Sequence, residues 1–86
     1  DSQDYDKALS SASKALAFSR EAGLRELECD CCNTLSIVWF RKADYSKALE
    51  YARETLDIGR ELRDESRIAY SLNTLAGICL VSKQAS

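Results

Sequence analysis

The sequence predicts an all-α chain of four antiparallel helices, arranged as two copies of one helix pair. Three observations lead there. Pro is absent, Gly occurs only three times in 86 residues, and 30% of residues are charged, a balance that favours helix over linker or disordered tail. The chain repeats itself at an interval of forty. Within each copy the apolar and small residues recur at helical spacing.

The repeat is legible without gaps. "DYDKAL" at 4–9 falls on "DYSKAL" at 44–49, Ala12 on Ala52, Leu16 on Leu56, Arg20-Glu21 on Arg60-Glu61, and Asn33-Thr34-Leu35 on Asn73-Thr74-Leu75. Twelve of the forty pairs between 4–43 and 44–83 are identical, and others are like for like, as Val38 with Ile78. Such register implies two copies of one structural unit.

The first helix of each unit is expected to begin at Asp4 or Asp44, both good N-cap residues. Its inner residues are 5, 8, 9, 12, 15 and 16, and 45, 48, 49, 52 and 56. A second stripe, Tyr51, Thr55, Ile58 and Leu62, lies on another face of the later copy. A helix apolar on two faces needs neighbours on both sides. Gly23 suits the left-handed position that ends the first helix. The copy has Arg63-Asp64 there, and Asp64 is placed to cap the next helix. The second helices span about 25–42 and 65–82, with a stripe of Leu24, Leu27 or Glu28, Cys31 or Cys32, Leu35, Val38 and Trp39. Ala43-Asp44 makes the short return. Exposed charges such as Arg53 and Asp57 are expected to pair along a helix at i, i+4.

Size and charge exclude several functions. A domain this small buries only roughly 60–65% of its unfolded surface. Net charge is −2 with both signs dispersed, so no basic stripe recommends nucleic acid. No apolar run approaches the ~20 residues that span a bilayer. The start, "DSQDYDKALS", lacks both signal-peptide character and an initiator Met, which suggests a piece of a longer chain. With no His, no Gly-rich phosphate loop and no Ser nucleophile motif, catalysis has little support.

Cys29, Cys31, Cys32 and Cys79 do not have the spacing of a secreted disulfide framework, and they point to a reducing cytoplasm. Cys29 and Cys32 stand at i, i+3, too far apart for a disulfide within the helix at ~5–6 Å between Cβ atoms. A zinc reading needs four ligands, and only Cys79 is available to join the cluster. The copy carries Ala69, Ser71 and Leu72 at the cluster positions, so packing is the simpler role, with the thiols reduced and metal-free.

Tyr45, Ala48, Leu49 and Leu56 resemble the second helix of a tetratricopeptide repeat (TPR). Leu35, small Ser36 and aromatic Trp39, with Ala76 at the second small position, resemble the first helix. The usual repeat has about 34 residues, and an interval of forty resembles the family's longer variety. Cys32 stands at a position usually aromatic, and Cys79 replaces the aromatic matched by Trp39. The resemblance covers essentially all of residues 1–86. It implies a right-handed TPR-type solenoid fragment of four helices. Residues 4–22 would be the second helix of one repeat, 24–63 a complete repeat, and 65–82 the first helix of the next, with "KQAS" standing where a further "ADYS" would begin.

The same resemblance puts the first-helix face on a concave groove. Asn33 lies two residues, or roughly 200°, from the inward Leu35. With it go Asp30, Ile37, Phe40 and Arg41, and in the copy Tyr70, Asn73, Gly77, Leu80 and Val81. An Asn amide offers two donors and one acceptor and can hold a peptide backbone whatever its side chains. The alternative is that Asn caps, bridges to a neighbouring helix, or is simply exposed. Thr34 and Thr74 adjoin the asparagines, though a Thr within a helix can bond its own i−4 carbonyl. The candidate groove set is therefore Asn33, Asn73, Asp30, Tyr70, Ile37, Arg41, Thr34 and Thr74.

Two functions follow: a protein-interaction module that binds a peptide or partner segment, or a structural and oligomerisation segment of a larger cytoplasmic signalling or regulatory protein. Neither implies a cofactor, nucleic acid, membrane or enzymatic step. The array ends are expected to self-associate, through Leu72, Leu75, Ile78 and Cys79 on the last helix and Tyr5, Leu9, Ala12 and Leu16 on the first.

Overall fold

A computed structural model describes residues 2–85, with side chains for 4–84. It contains α1 (Ser2–Ala22), α2 (Arg25–Arg41), α3 (Tyr45–Glu61) and α4 (Glu65–Ala85), and no strand among the described residues. The principal packing follows chain order, α1 on α2, α2 on α3 and α3 on α4. The Cα atoms fill a slab of 38 × 29 × 16 Å. Its thin dimension holds two helix layers, since axes packed about 8–10 Å apart with Cα radii of about 2.3 Å span roughly 13–15 Å.

Capping explains where α3 and α4 begin. The Asp44 carboxylate accepts from the Lys47 N–H, and the Asp64 carboxylate from the Arg67 N–H, each at 3.2 Å. Asp4 behaves differently. The helix is already running at Ser2, so Asp4 is not a cap but a first-turn acid beside the positive end of the helix dipole.

The three turns are built alike. Gly23, Ala43 and Arg63 are left-handed, at φ 70°, 65° and 54°. In each, the N–H of the following residue reaches back five residues: Leu24 to the Ser19 carbonyl, Asp44 to Trp39 and Asp64 to Gly59, at 2.9–3.0 Å. This is the closing bond of a Schellman-type helix end. The glycine expected to distinguish the first turn is thus one of three equivalent positions.

Two cores lie side by side. One joins Ala12 and Leu16 of α1, Cys29, Cys31, Cys32 and Leu35 of α2, and Ile58 of α3. The other joins Ala48 and Ala52 of α3 to Ile78 of α4. Trp39 packs against both. The double-faced α3 is realised: Thr55 and Ile58 are buried, and Tyr51 and Leu62 pack against the first core.

Several expected faces shift. Glu28 rather than Leu27 is buried on α2, because Arg20 and Arg25 hold its carboxylate at 3.2 and 2.6 Å. Arg53 and Asp57 form no ion pair among the described residues; the pairs that do form there mostly tie different helices, as Arg20 to Glu54, Arg25 to Glu61 and Lys42 to Asp6. Ala12 and Leu16 are covered by α2, and Ile78 by α3. Tyr5, Leu9 and Leu75 are half-buried. Of the expected end residues, Leu72 and Cys79 are exposed, together with Phe18, two residues and roughly 200° round the helix from Leu16.

Candidate functional site

One side of the slab carries α2 and α4 next to each other, with α3 beneath. Two successive grooves run between them. The first is lined by Cys29, Asp30 and Asn33 of α2, Thr55 of α3, and Ser66, Arg67 and Tyr70 of α4. The second is lined by Ser36, Ile37, Phe40 and Arg41 of α2 and by Asn73, Thr74, Gly77, Ile78 and Val81 of α4. Both exist because an α-helix brings residues three and four apart to one face: 30, 33, 37 and 41 on α2, and 66, 70, 73, 77 and 81 on α4.

The predicted residues divide between these grooves. Asn33, Asp30 and Tyr70 border the first. Asn73, Ile37, Arg41 and Thr74 border the second. Thr34 does not join them. It lies on the α1 side of α2, beside Ala8, Ser11 and Leu27, since one residue turns a helix by about 100°. Both threonine hydroxyls also bond backward within their helix, Thr34 to the Asp30 carbonyl at 3.1 Å and Thr74 to the Tyr70 carbonyl at 3.0 Å. Leu80, 60% exposed, lines neither groove.

Arg67 bridges the two sides of the first groove. Its guanidinium donates to Asp30 at 2.7 Å and to Asp64 at 3.2 Å, so it ties α4 to α2 and to its own cap. Its hydrogen bond to Asp30, then that to Cys29, raises its pKa above the ordinary arginine value. Asp30 is therefore engaged within the protein, whereas Arg41, in the second groove, is exposed and has no ion pair among the described residues. Arg67 and Ser66 escaped the sequence reading. The signal was available, since both stand one turn before Tyr70 on the same stripe.

Of the cysteines, Cys29 alone borders the first groove, and neither groove is lined by the other three. Cys29, Cys31 and Cys32 are buried thiols, and Cys79 is an exposed one. Cys29 donates to the Thr55 carbonyl at 3.5 Å, and Cys32 to the Glu54 carboxylate at 3.3 Å. Burial, reinforced by Glu54, pushes the Cys32 thiol up to about 12, and burial also raises Cys31. A thiol held protonated is a poor nucleophile and a poor metal ligand. Among the described residues no group of three or more Cys, Asp and Glu side chains is placed to hold a metal ion.

No protein-family model and no curated protein matches this chain. The site must therefore be read from its own residues. No described helix is long and apolar enough to cross a membrane. What the α2–α4 face offers is two successive open grooves with an Asn amide at each, apolar side chains lining the second, and the Arg41 guanidinium, which has no ion pair among the described residues.

Proposed function

We propose that this chain is a protein-interaction module of the tetratricopeptide type, a right-handed array whose α2–α4 face holds an extended segment of a partner protein. One observation carries the reading. Asn33 and Asn73, repeated at an interval of forty, border successive grooves on the α2–α4 face, Asn33 from α2 and Asn73 from α4. Asn33 is half-buried and Asn73 exposed, so both amides are within reach of a ligand. An extended chain lying along the face offers N–H and C=O groups to each amide, which has two donors and one acceptor. Ile37, Phe40 and Val81 would receive its apolar side chains. The reading assigns no catalytic step and no cofactor. It places the work in a reducing cytoplasm, in keeping with a core filled by three free thiols.

The test begins with a random peptide library, panned on the purified chain. Enriched peptides are then titrated against Asn33→Ala, Asn73→Ala and the double variant. Each single change is expected to weaken binding about 3–10-fold, the worth of one or two hydrogen bonds, with urea stability nearly unchanged. Enriched peptides that bind the double variant as tightly as the parent would remove the asparagines, and with them this reading of the face.

A further inference from the structure

The internal repeat makes a prediction about the ends that does not depend on peptide binding. The α2–α3 interface is a template. By the forty-residue shift, α4 corresponds to α2 and α1 to α3. So α1 of a second copy can dock on α4 of the first as α3 docks on α2. We infer that the 86-residue chain self-associates head to tail in this register, with α4 of one copy covered by α1 and α2 of the next.

The exposed apolar side chains support that register. Within the chain, Ile58 of α3 shares a core with Cys29, Cys32 and Leu35 of α2. The shifted positions are Phe18 on α1 against Ala69, Leu72 and Leu75 on α4. Phe18 is 58% exposed and Leu72 47%, although Ile58 and Cys32 are buried. A second template contact is the bridge from Asp30 on α2 to Arg67 on α4. Its shifted counterparts are Tyr70 and Leu27 of the next copy, 51% and 36% exposed, an apolar pair replacing an ionic one. Four of the six exposed large apolar side chains thus fall where the repeat pairs them, Leu24 and Leu80 being the others. Stacking in this register also covers the groove beside Ala15 and Leu27, bringing Asn73 of one copy alongside the next copy's α2.

Charge acts the other way and makes the register testable. Two ion pairs of the template, Arg20–Glu54 and Arg25–Glu61, become Arg60 against Lys14 and Glu65 against Glu21. Both are like-charge pairs, so apolar contact drives the association and electrostatics restrains it. Screening such repulsion with salt strengthens it. A head-to-tail contact that repeats without closing adds copies in an open series.

Sedimentation equilibrium of the 86-residue chain, over a range of protein concentrations and at low and high salt, tests this. The expected result is a weight-average mass rising above 9.6 kDa with concentration, and rising further with salt. The double variant Lys14→Glu with Glu21→Lys keeps the net charge at −2 but turns both like pairs into opposite ones. It should associate about tenfold more tightly and lose affinity as salt is added. Phe18→Glu and Leu72→Glu each block one end, and each should be monomeric alone. Mixed, they should give a 1:1 dimer that grows no further, because one intact face of each kind remains. All these positions are exposed, so the folded state is preserved in every variant. A monomer up to about 200 μM, the upper part of the range in which exposed apolar surface drives association, would overturn the proposal. So would a charge-swapped variant no tighter than the parent, or a mixture that stays monomeric.

Discussion

The Ser36 hydroxyl donates to the Ala48 carbonyl across 2.9 Å, and neither residue is exposed to solvent at all. This contact sits where α2 and α3 approach closely, and a larger side chain at 36 would force them apart. Ser36→Ala removes one buried hydrogen bond and should destabilise the fold by about 1 kcal/mol. Ser36→Leu overpacks the contact and should destabilise it by about 2–3 kcal/mol. Urea unfolding of the two variants measures the difference. Equal effects would mean that the hydrogen bond, not the close approach, is what requires a small residue.

The left-handed turns predict stabilising changes. Ala43 and Arg63 hold a backbone conformation that suits glycine, and Gly23 already has it. Ala43→Gly and Arg63→Gly should each stabilise by about 0.5–1 kcal/mol, after allowing for the looser unfolded chain. Gly23→Ala should destabilise by about 1 kcal/mol. A Cβ there meets no atom within 4 Å, so backbone strain is the only penalty. Thermal midpoints read all three, and a fall on Arg63→Gly would contradict the shared turn geometry.

Acid should loosen the α1–α2–α3 junction through Glu28. Burial alone would raise its carboxyl, but hydrogen bonds from Arg25 and Arg20 outweigh that and hold it below the ordinary range. In the unfolded chain it returns to about 4.3. The unfolded state therefore binds the proton more readily, and the stability due to Glu28 is fully present above that value. It is lost as pH falls through the folded one. Glu28→Gln should be less stable at neutral pH and should show a shallower loss between about pH 5 and 3. Chemical denaturation across that range distinguishes the two; parallel curves would show that the arginines do not depend on this carboxylate.

Much of this molecule was legible because repeated sequence constrains repeated structure. Asp44 and Asp64 could be read as caps from their chemistry alone, and Leu35, Ala48 and Ala52 as core from spacing. Asp4 was misread because the same letters carry no information about whether a helix has already begun. Spacing left the inward position to Leu27 or Glu28, and it could not choose Glu28, because the arginines that hold its carboxylate come from two helices and periodicity sees one helix at a time. The stripe through Tyr70 marks Arg67 as a groove residue, but its bond to Asp30, 37 positions earlier, is not legible in one helix's spacing. The groove face could be anticipated down to Asn33 and Asn73. Thr34 could not be separated from them, because sequence adjacency and angular position disagree by a quarter turn.

Because each helix leans mainly on its chain neighbours, the contacts that define the fold are close in sequence. Little loop-closure entropy stands between the unfolded chain and any one of them, so folding should be fast for a protein of this length. Cooperativity then passes from link to link, and the middle pair α2–α3, braced on both sides, is the last to come apart. Of the four described helices, α1 and α4 each pack mainly on one of the others, so they should open and reclose while that pair holds. Among these four helices, α1 and α4 therefore have the most freedom to exchange one neighbour for another.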